Sequence, residues 1–298
     1  MSEMTKIEEI IIGNLQDCWS ILYEELADGI VRTAGIEGEQ ALREGIRKYG
    51  IERGTKMRRR HQELGMKLNL ENLFTYFDLP SDPRFKREKI SLNPQQRLSY
   101  TLTCPIADQW IRDGKKALGR IYCEEFHHAC FGAYAPKSQT NLAKTLTEDG
   151  DNYCCFSVYL RPGNMNEVER GEAFAEYDPQ YSQPENMSYD LGTHKEGYNR
   201  LSVLIIRFIA DQALKSLGDI GEESVICALR GAADHISSFL KGRADALDCA
   251  CDQEFLEKNM PLSLDFERDL LWQECENEKL RDLVKKYYYE YLKQKVGL

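Results

Sequence analysis

The sequence has no apolar run approaching the ~20 residues that a membrane span needs. Stretches such as Val203 to Ile206 are cut by charge, here at Arg207, so no membrane segment is expected. The first residues, Met1 to Met4, do not form a basic region leading into an apolar run, and no secretory signal is expected. Positive charge is not in excess either. The 39 basic residues face 49 acidic ones, for a net charge of −10, and general nucleic-acid binding relies on clusters of Lys and Arg. The one basic run, Lys56 to Arg60, reads as a solvated helix face. No two cysteines stand in CxxC spacing, which argues against a zinc ribbon. There is no phosphate loop, no GxSxG elbow and no HExxH pair. No cofactor and no resident metal are expected on these grounds.

What is present is an ordinary globular composition over 298 residues, a length that suggests roughly two domains at about 150 residues each. Ten cysteines without a secretory signal fit reduced thiols and a cytoplasmic location. Most of them are expected to act as small buried hydrophobes.

The first ~130 residues read as helical. Ile7, Ile10, Ile11, Leu15, Trp19, Leu22 and Leu26 recur at three- and four-residue steps, as on an amphipathic helix. A second helix is expected from Gly38-Glu39 to about Leu64, and a short one from Asn69 to Phe77, stopped by Pro80. The polar, proline-broken stretch Ser81 to Lys89 reads as a loop. Helices are expected from about Asn93 and from about Gly114 to Phe131. Cys104-Pro105 falls at a break between helical pieces, where the proline disfavours helical geometry at Cys104. The period then changes to two. Thr140 to Thr147 and Tyr153 to Leu160 predict two strands around the turn residues Glu148 to Asn152. Gly163 to Gly197 is polar, and only Glu172 to Tyr177 there could add a strand.

From Leu201 the chain is expected to be helical again and to repeat itself. Ala27-Asp28 and Gly38-Glu39 correspond to Ala210-Asp211 and Gly221-Glu222 at an offset of 183. Ile111-Arg112-Asp113 corresponds to Leu280-Arg281-Asp282 at an offset of 169. The second copy lacks the chemistry of the first: Cys104-Pro105 becomes Gln273-Glu274, Cys123 becomes Leu292, and the hairpin has no counterpart. The expected division is 1–163 as a complete helical-plus-hairpin unit, 164–199 as a linker or surface excursion, and 200–298 as a truncated helical copy. Such a copy could stand where a second subunit would, making the chain either a monomeric internal pseudo-dimer or a homodimer.

Three groups of residues can carry chemistry. Cys123, His127 and Cys130 share one helix face. A thiol and an imidazole one turn apart can serve as nucleophile and base or ligate a metal together; the competing reading, which spacing alone favours, is that Cys123 and Cys130 pack in the core and His127 is hydrogen-bonded near the rim. Cys104 at a helix start can have a lowered pKa, because unpaired backbone N–H groups favour the thiolate. Asp151 and Cys154 place a carboxylate in a tight turn and a thiol at a strand start; the alternative is that Asp151 caps its own turn.

In order along the chain, these residues resemble the L-2-amino-thiazoline-4-carboxylic acid hydrolase family. The resemblance rests on Cys104-Pro105, Tyr122-Cys123 with His127, Tyr134-Ala135-Pro136, and Gly150-Asp151-Asn152-Tyr153-Cys154-Cys155-Phe156, within about residues 25–161. The end of this region is also similar to 4-vinyl-reductase-type ligand-binding domains. Some sensor members of that group hold zinc through extra Cys and Glu residues that Ala143 to Thr147 does not supply. The hydrolase resemblance implies opening of a small sulfur–nitrogen heterocycle of the 2-aminothiazoline-4-carboxylate type, at a cyclic amidine C–N or C–S bond. On that basis Cys104 or Cys123 is the expected nucleophile, His127 the general acid/base and Asp151 its orienter. Cys154, Tyr122 and Tyr134 are the expected support or substrate contacts. A metal held by Cys104, Cys123, His127 and Cys154 is the other chemistry, and four such ligands would close a tetrahedral zinc and leave it structural. The alternative function is a non-catalytic, sensor-like module that binds a small molecule. The expected fold is α+β, predominantly helical, with a small antiparallel sheet between about residues 138 and 178 and a helical second part.

Overall fold

The structure, a computed structural model, describes residues 5–184 and 192–298. The residues read for a signal, Met1 to Met4, lie outside it, as does part of the 164–199 segment. The fold is α+β and predominantly helical, with one four-stranded antiparallel sheet.

Helix α1 (Lys6–Glu63) is the spine. It starts at a capping box in which Thr5 and Glu8 satisfy each other's backbone amides. From Ile12 to Ile30 nearly every residue is buried, so this is a helix surrounded on all sides rather than one with a single apolar stripe. Gly35, at φ 57°, breaks it into the two helices expected from the sequence. After α1 come α2 (Leu70–Thr75, capped by Asn69), α3 (Pro105–Arg112) and α4 (Lys116–Tyr134). The second half adds α5 (Glu167–Ala173), α6 (His194–Ser216), α7 (Gly218–Ala246) and α8 (Gln253–Asn259). It ends in α9 (Glu278–Val284), a π-helical turn and α10 (Tyr291–Val296). Helices α4, α6 and α7 all pack on α1. Gly218, 183 residues after Gly35, also has positive φ (58°) and separates α6 from α7. Among the described residues no helix is long and apolar enough to cross a membrane.

The sheet differs from expectation in its extent. Strands β1 (Lys86–Asn93) and β2 (Gln96–Thr103) form a hairpin where a loop and a helix were expected. It closes over the two residues Pro94 and Gln95, with Asn93 paired to Gln96. Strands β3 (Gln139–Lys144) and β4 (Cys154–Tyr159) match the expected hairpin, and the spatial order is β1-β2-β4-β3. The sheet therefore spans residues 86–159, not 138–178. Cys104 sits between a strand and a helix rather than between two helices. Glu172 to Tyr177 is no strand. It ends α5, which a capping box at Asn166 and Glu169 initiates, and continues into a 3-10 turn.

Gly54 shows how closely α1 and α4 approach. A Cβ there would overlap the Cys130 carbonyl oxygen and come within 2.9 Å of the Ala133 Cβ. Backbone cannot yield as a flexible side chain does, so Gly54→Ala should destabilise the protein by about 3 kcal/mol, the upper range for overpacking. Urea unfolding checks this. An unchanged midpoint would mean that the two helices stand further apart.

Candidate active site

A cavity of about 440 Å³ opens between α1, α3, α4 and the inner face of the sheet. Its floor is aromatic. Tyr122 stacks on Phe126 at 5.0 Å between ring centroids, with Trp19 and Trp110 edge-on to Tyr122. Its reactive groups are Cys104, Cys123, His127 and Cys154, which the structure brings into this one space.

Each is placed by its element. Cys104 has an extended backbone (φ −130°, ψ 106°) ahead of Pro105 and caps the start of α3, as an X-Pro step dictates. Cys123 and His127 project from α4 one turn apart. His127 Nδ1–H donates to the Cys123 carbonyl oxygen at 2.8 Å, which leaves Nε2 as the lone-pair nitrogen. The ring meets Phe156 of β4 edge-on at 4.8 Å. Cys154 Sγ accepts from the Leu146 amide at 3.4 Å and donates to Thr145 Oγ1 at 3.8 Å.

Burial sets the protonation states. His127 is pushed down to about 4 by burial, with Arg97 adding to it against the Cys123 carbonyl bond. It is therefore neutral at physiological pH. Burial pushes the Cys104 thiol up to about 12, although the amides of Ala107 and Ile106 and the charge of Arg87 favour the thiolate. The lowered thiol pKa expected at a helix start is thus reversed by desolvation. Burial raises Cys123 further, with Cys154 and Cys104 adding to it. Cys154 is raised as well, again mainly by burial.

The remaining expected residues stand elsewhere. Asp151 does not line the cavity. Its carboxylate accepts from the Thr145 amide at 3.0 Å and stands 3.6 Å from Lys144 Nζ, the turn-capping alternative. The group that orients His127 is a backbone carbonyl, not Asp151. Tyr134 is buried and its hydroxyl pairs with His61 Nδ1 at 2.6 Å, away from the cavity. Cys130 is fully buried in the core. The donors of Cys104, Cys123, His127 and Cys154 do not converge as a metal needs. Among the described residues only Glu24, Asp113 and His235 bring three ligand atoms within 4.8 Å of one another.

The sequence reading missed the basic side of the cavity. Arg87 and Lys89 of β1 and Arg97, Ser99 and Thr101 of β2 line it from alternate positions. Arg97 lies over the Phe74 ring at 3.9 Å, and burial lowers its pKa to about 10. Among the described residues neither the Arg87 nor the Arg97 guanidinium forms an ion pair or hydrogen bond. The third arginine, Arg53, is spent on structure through a two-bond pair with Asp78. The signal that could have revealed the hairpin was a period of two with the polar residues pointing inward.

Comparison with known proteins finds a match over the stretch of chain that builds the cavity. The family model of L-2-amino-thiazoline-4-carboxylic acid hydrolase matches residues 15–158. Every residue lining the cavity falls inside that span. Searches of curated proteins and of solved structures find no match. Over residues 15–158, just under half of its length, the chain is similar to the L-2-amino-thiazoline-4-carboxylic acid hydrolase family.

Proposed function

We propose that this chain is a hydrolase that opens a small carboxylated heterocycle of the 2-aminothiazoline-4-carboxylate type, and that the cavity is its active site. The observation that carries the reading is the meeting of a neutral imidazole and three thiols with two unpaired guanidinium groups in one cavity. A half-buried arginine without a counter-ion, such as Arg97, favours a ligand that supplies the anion. The substrate carboxylate does so, and Arg97 with Arg87 at the rim forms its binding site.

Cys104 is the nucleophile in this reading, because it alone has both helix N-terminal amides and Arg87 favouring its thiolate. His127 Nε2 takes the thiol proton as the sulfur adds to the ring carbon between sulfur and nitrogen. A ring bond from that carbon breaks, and the departing atom takes the proton back from His127. Water, deprotonated by His127, then adds to the same carbon and displaces Cys104, which recovers its proton. Thr145 positions Cys154 beside the site, and Asp151 positions Thr145.

The test is turnover of 2-aminothiazoline-4-carboxylate by the full-length protein, read by mass spectrometry. Ring-opened product supports the hydrolase. Binding without product from folded protein favours the sensor-like alternative. Arg97→Ala should raise KM about 30- to 100-fold, the loss of about 2–3 kcal/mol from a charged hydrogen bond, with a smaller change in kcat. An unaltered KM would remove the carboxylate from Arg97.

We also propose that residues 200–298 are a shortened copy of the first unit, packed where a second subunit would lie. Three pairs at an offset of 183 support it. Gly35 and Gly218 share positive φ. Asn69 and Asp252 cap α2 and α8. Leu73 and Leu256 are both fully buried.

A further inference from the structure

Away from the cavity, acidic groups and a histidine meet where α1, the end of α3 and α7 come together. Glu24 is wholly buried, and neither of its carboxylate oxygens has a hydrogen-bond partner. It faces Asp113, another carboxylate, and His235, and one ligand atom from each lies within 4.8 Å of the others. Glu24 Oε1 stands 3.4 Å from His235 Nδ1, and His235 Nε2 stands 3.7 Å from Asp113 Oδ2. A wholly buried carboxylate facing a second, partly buried one needs a proton or a cation between the two.

The surroundings favour a cation. His235 Nδ1–H donates to Glu25 Oε1 at 2.8 Å, and that oxygen also takes Lys115 Nζ at 2.6 Å. Gln109 Nε2 donates to Asp113 Oδ2. A histidine whose Nδ1–H is held by a carboxylate offers Nε2 as a lone pair, the arrangement found behind metal-ligating imidazoles. None of these groups lines the cavity.

We infer that Glu24, Asp113 and His235 form a binding site for a divalent first-row transition metal. Two carboxylates and one imidazole suit zinc, cobalt(II) or manganese(II), with room for water as a further ligand. The ion would join α1 and α3 to α7 and so clasp the two halves of the chain. Glu24→Gln keeps the shape of the side chain and removes its buried charge, so the variant should fold normally while losing the ligand.

The experiment adds cobalt(II) to the reduced full-length protein and follows absorption and equilibrium dialysis, with zinc as competitor. One equivalent is expected, with ligand-field bands and no thiolate charge-transfer band. Glu24→Gln and His235→Ala should each weaken binding roughly a hundredfold. Zinc at a hundred times the wild-type Kd should raise the wild-type Tm by about 5 °C and that of Glu24→Gln by only about 1 °C. A thiolate band that persists in Glu24→Gln would put the ion on the cysteines and overturn the inference. Absence of binding to folded protein would leave the shared proton as the answer.

Discussion

Replacing Cys104 by alanine is expected to lower kcat on 2-aminothiazoline-4-carboxylate by at least about a thousandfold, the scale on which removal of a covalent nucleophile acts. Cys123→Ala should cost far less, because that thiol lacks the helix-start amides that bias Cys104. The ranking matters more than either value. Equal losses would mean that the thiols act together, and full activity in Cys104→Ala would end the covalent mechanism and leave His127 acting on water alone. His127→Gln should lower kcat about 10²- to 10⁴-fold as a lost general base.

The pH dependence follows from the same burial. His127 works unprotonated, and its pKa is lowered to about 4. Activity should therefore hold as pH falls through 6.5, where an ordinary histidine would protonate, and fail only as pH approaches 4. Cys104, raised to about 12, remains a thiol across the neutral range, so thiolate formation adds no rise near pH 8.5. The expected profile of kcat/KM is flat from about pH 6 to 9. A bell with limbs near 6.5 and 8.5 would show that the cavity is wet and that its groups titrate as in water.

The helical part of this fold is legible because its positions obey a period of 3.6 with apolar residues inward. The kink at Gly35, the Asn69 cap and the β3–β4 turn are written in residues with one conformational use. The β1–β2 hairpin is not legible by the same rule, because its inward face is polar. Arg87, Lys89, Arg97, Ser99 and Thr101 look toward the cavity, while Ile90 and Leu102 are exposed. A reader who assigns apolar residues to the inside puts these side chains on the wrong face, with Leu92, which does line the cavity, as the exception. The thiols and His127 could be found, because a turn of helix and an X-Pro step fix their direction. The arginines that meet them arrive from a strand tens of residues away, and only the pairing of β2 with β4 brings them there. Asp151 shows the converse. Its turn chemistry was visible, and the turn is where its carboxylate is used.

Asp78→Ala should be the most destabilising of the substitutions considered, at about 3–5 kcal/mol. Asp78 accepts two bonds from Arg53, at 2.9 Å from Nε and 2.5 Å from Nη2. Asp78 holds Arg53 charged, far above any pH at which it could release its proton. The guanidinium lies 4.7 Å from the Phe126 ring centroid and 5.5 Å from that of Phe77, and the side chain is 2% exposed. Alanine at 78 leaves that charge buried with Tyr49 OH as its remaining hydrogen-bond partner. The penalty comes from the abandoned cation more than from the lost attraction, so removing both charges should recover most of it. Urea unfolding of Asp78→Ala, Arg53→Met and Arg53→Met/Asp78→Leu tests this as a cycle. The double variant should be several kcal/mol more stable than Asp78→Ala. If it is not, Arg53 reaches water or another anion once Asp78 is gone. Turnover separates the other role of the pair. Arg53, Phe77 and Phe126 line the cavity, so a double variant that folds but turns over poorly would show that the ion pair is kept for the shape of the site rather than for stability.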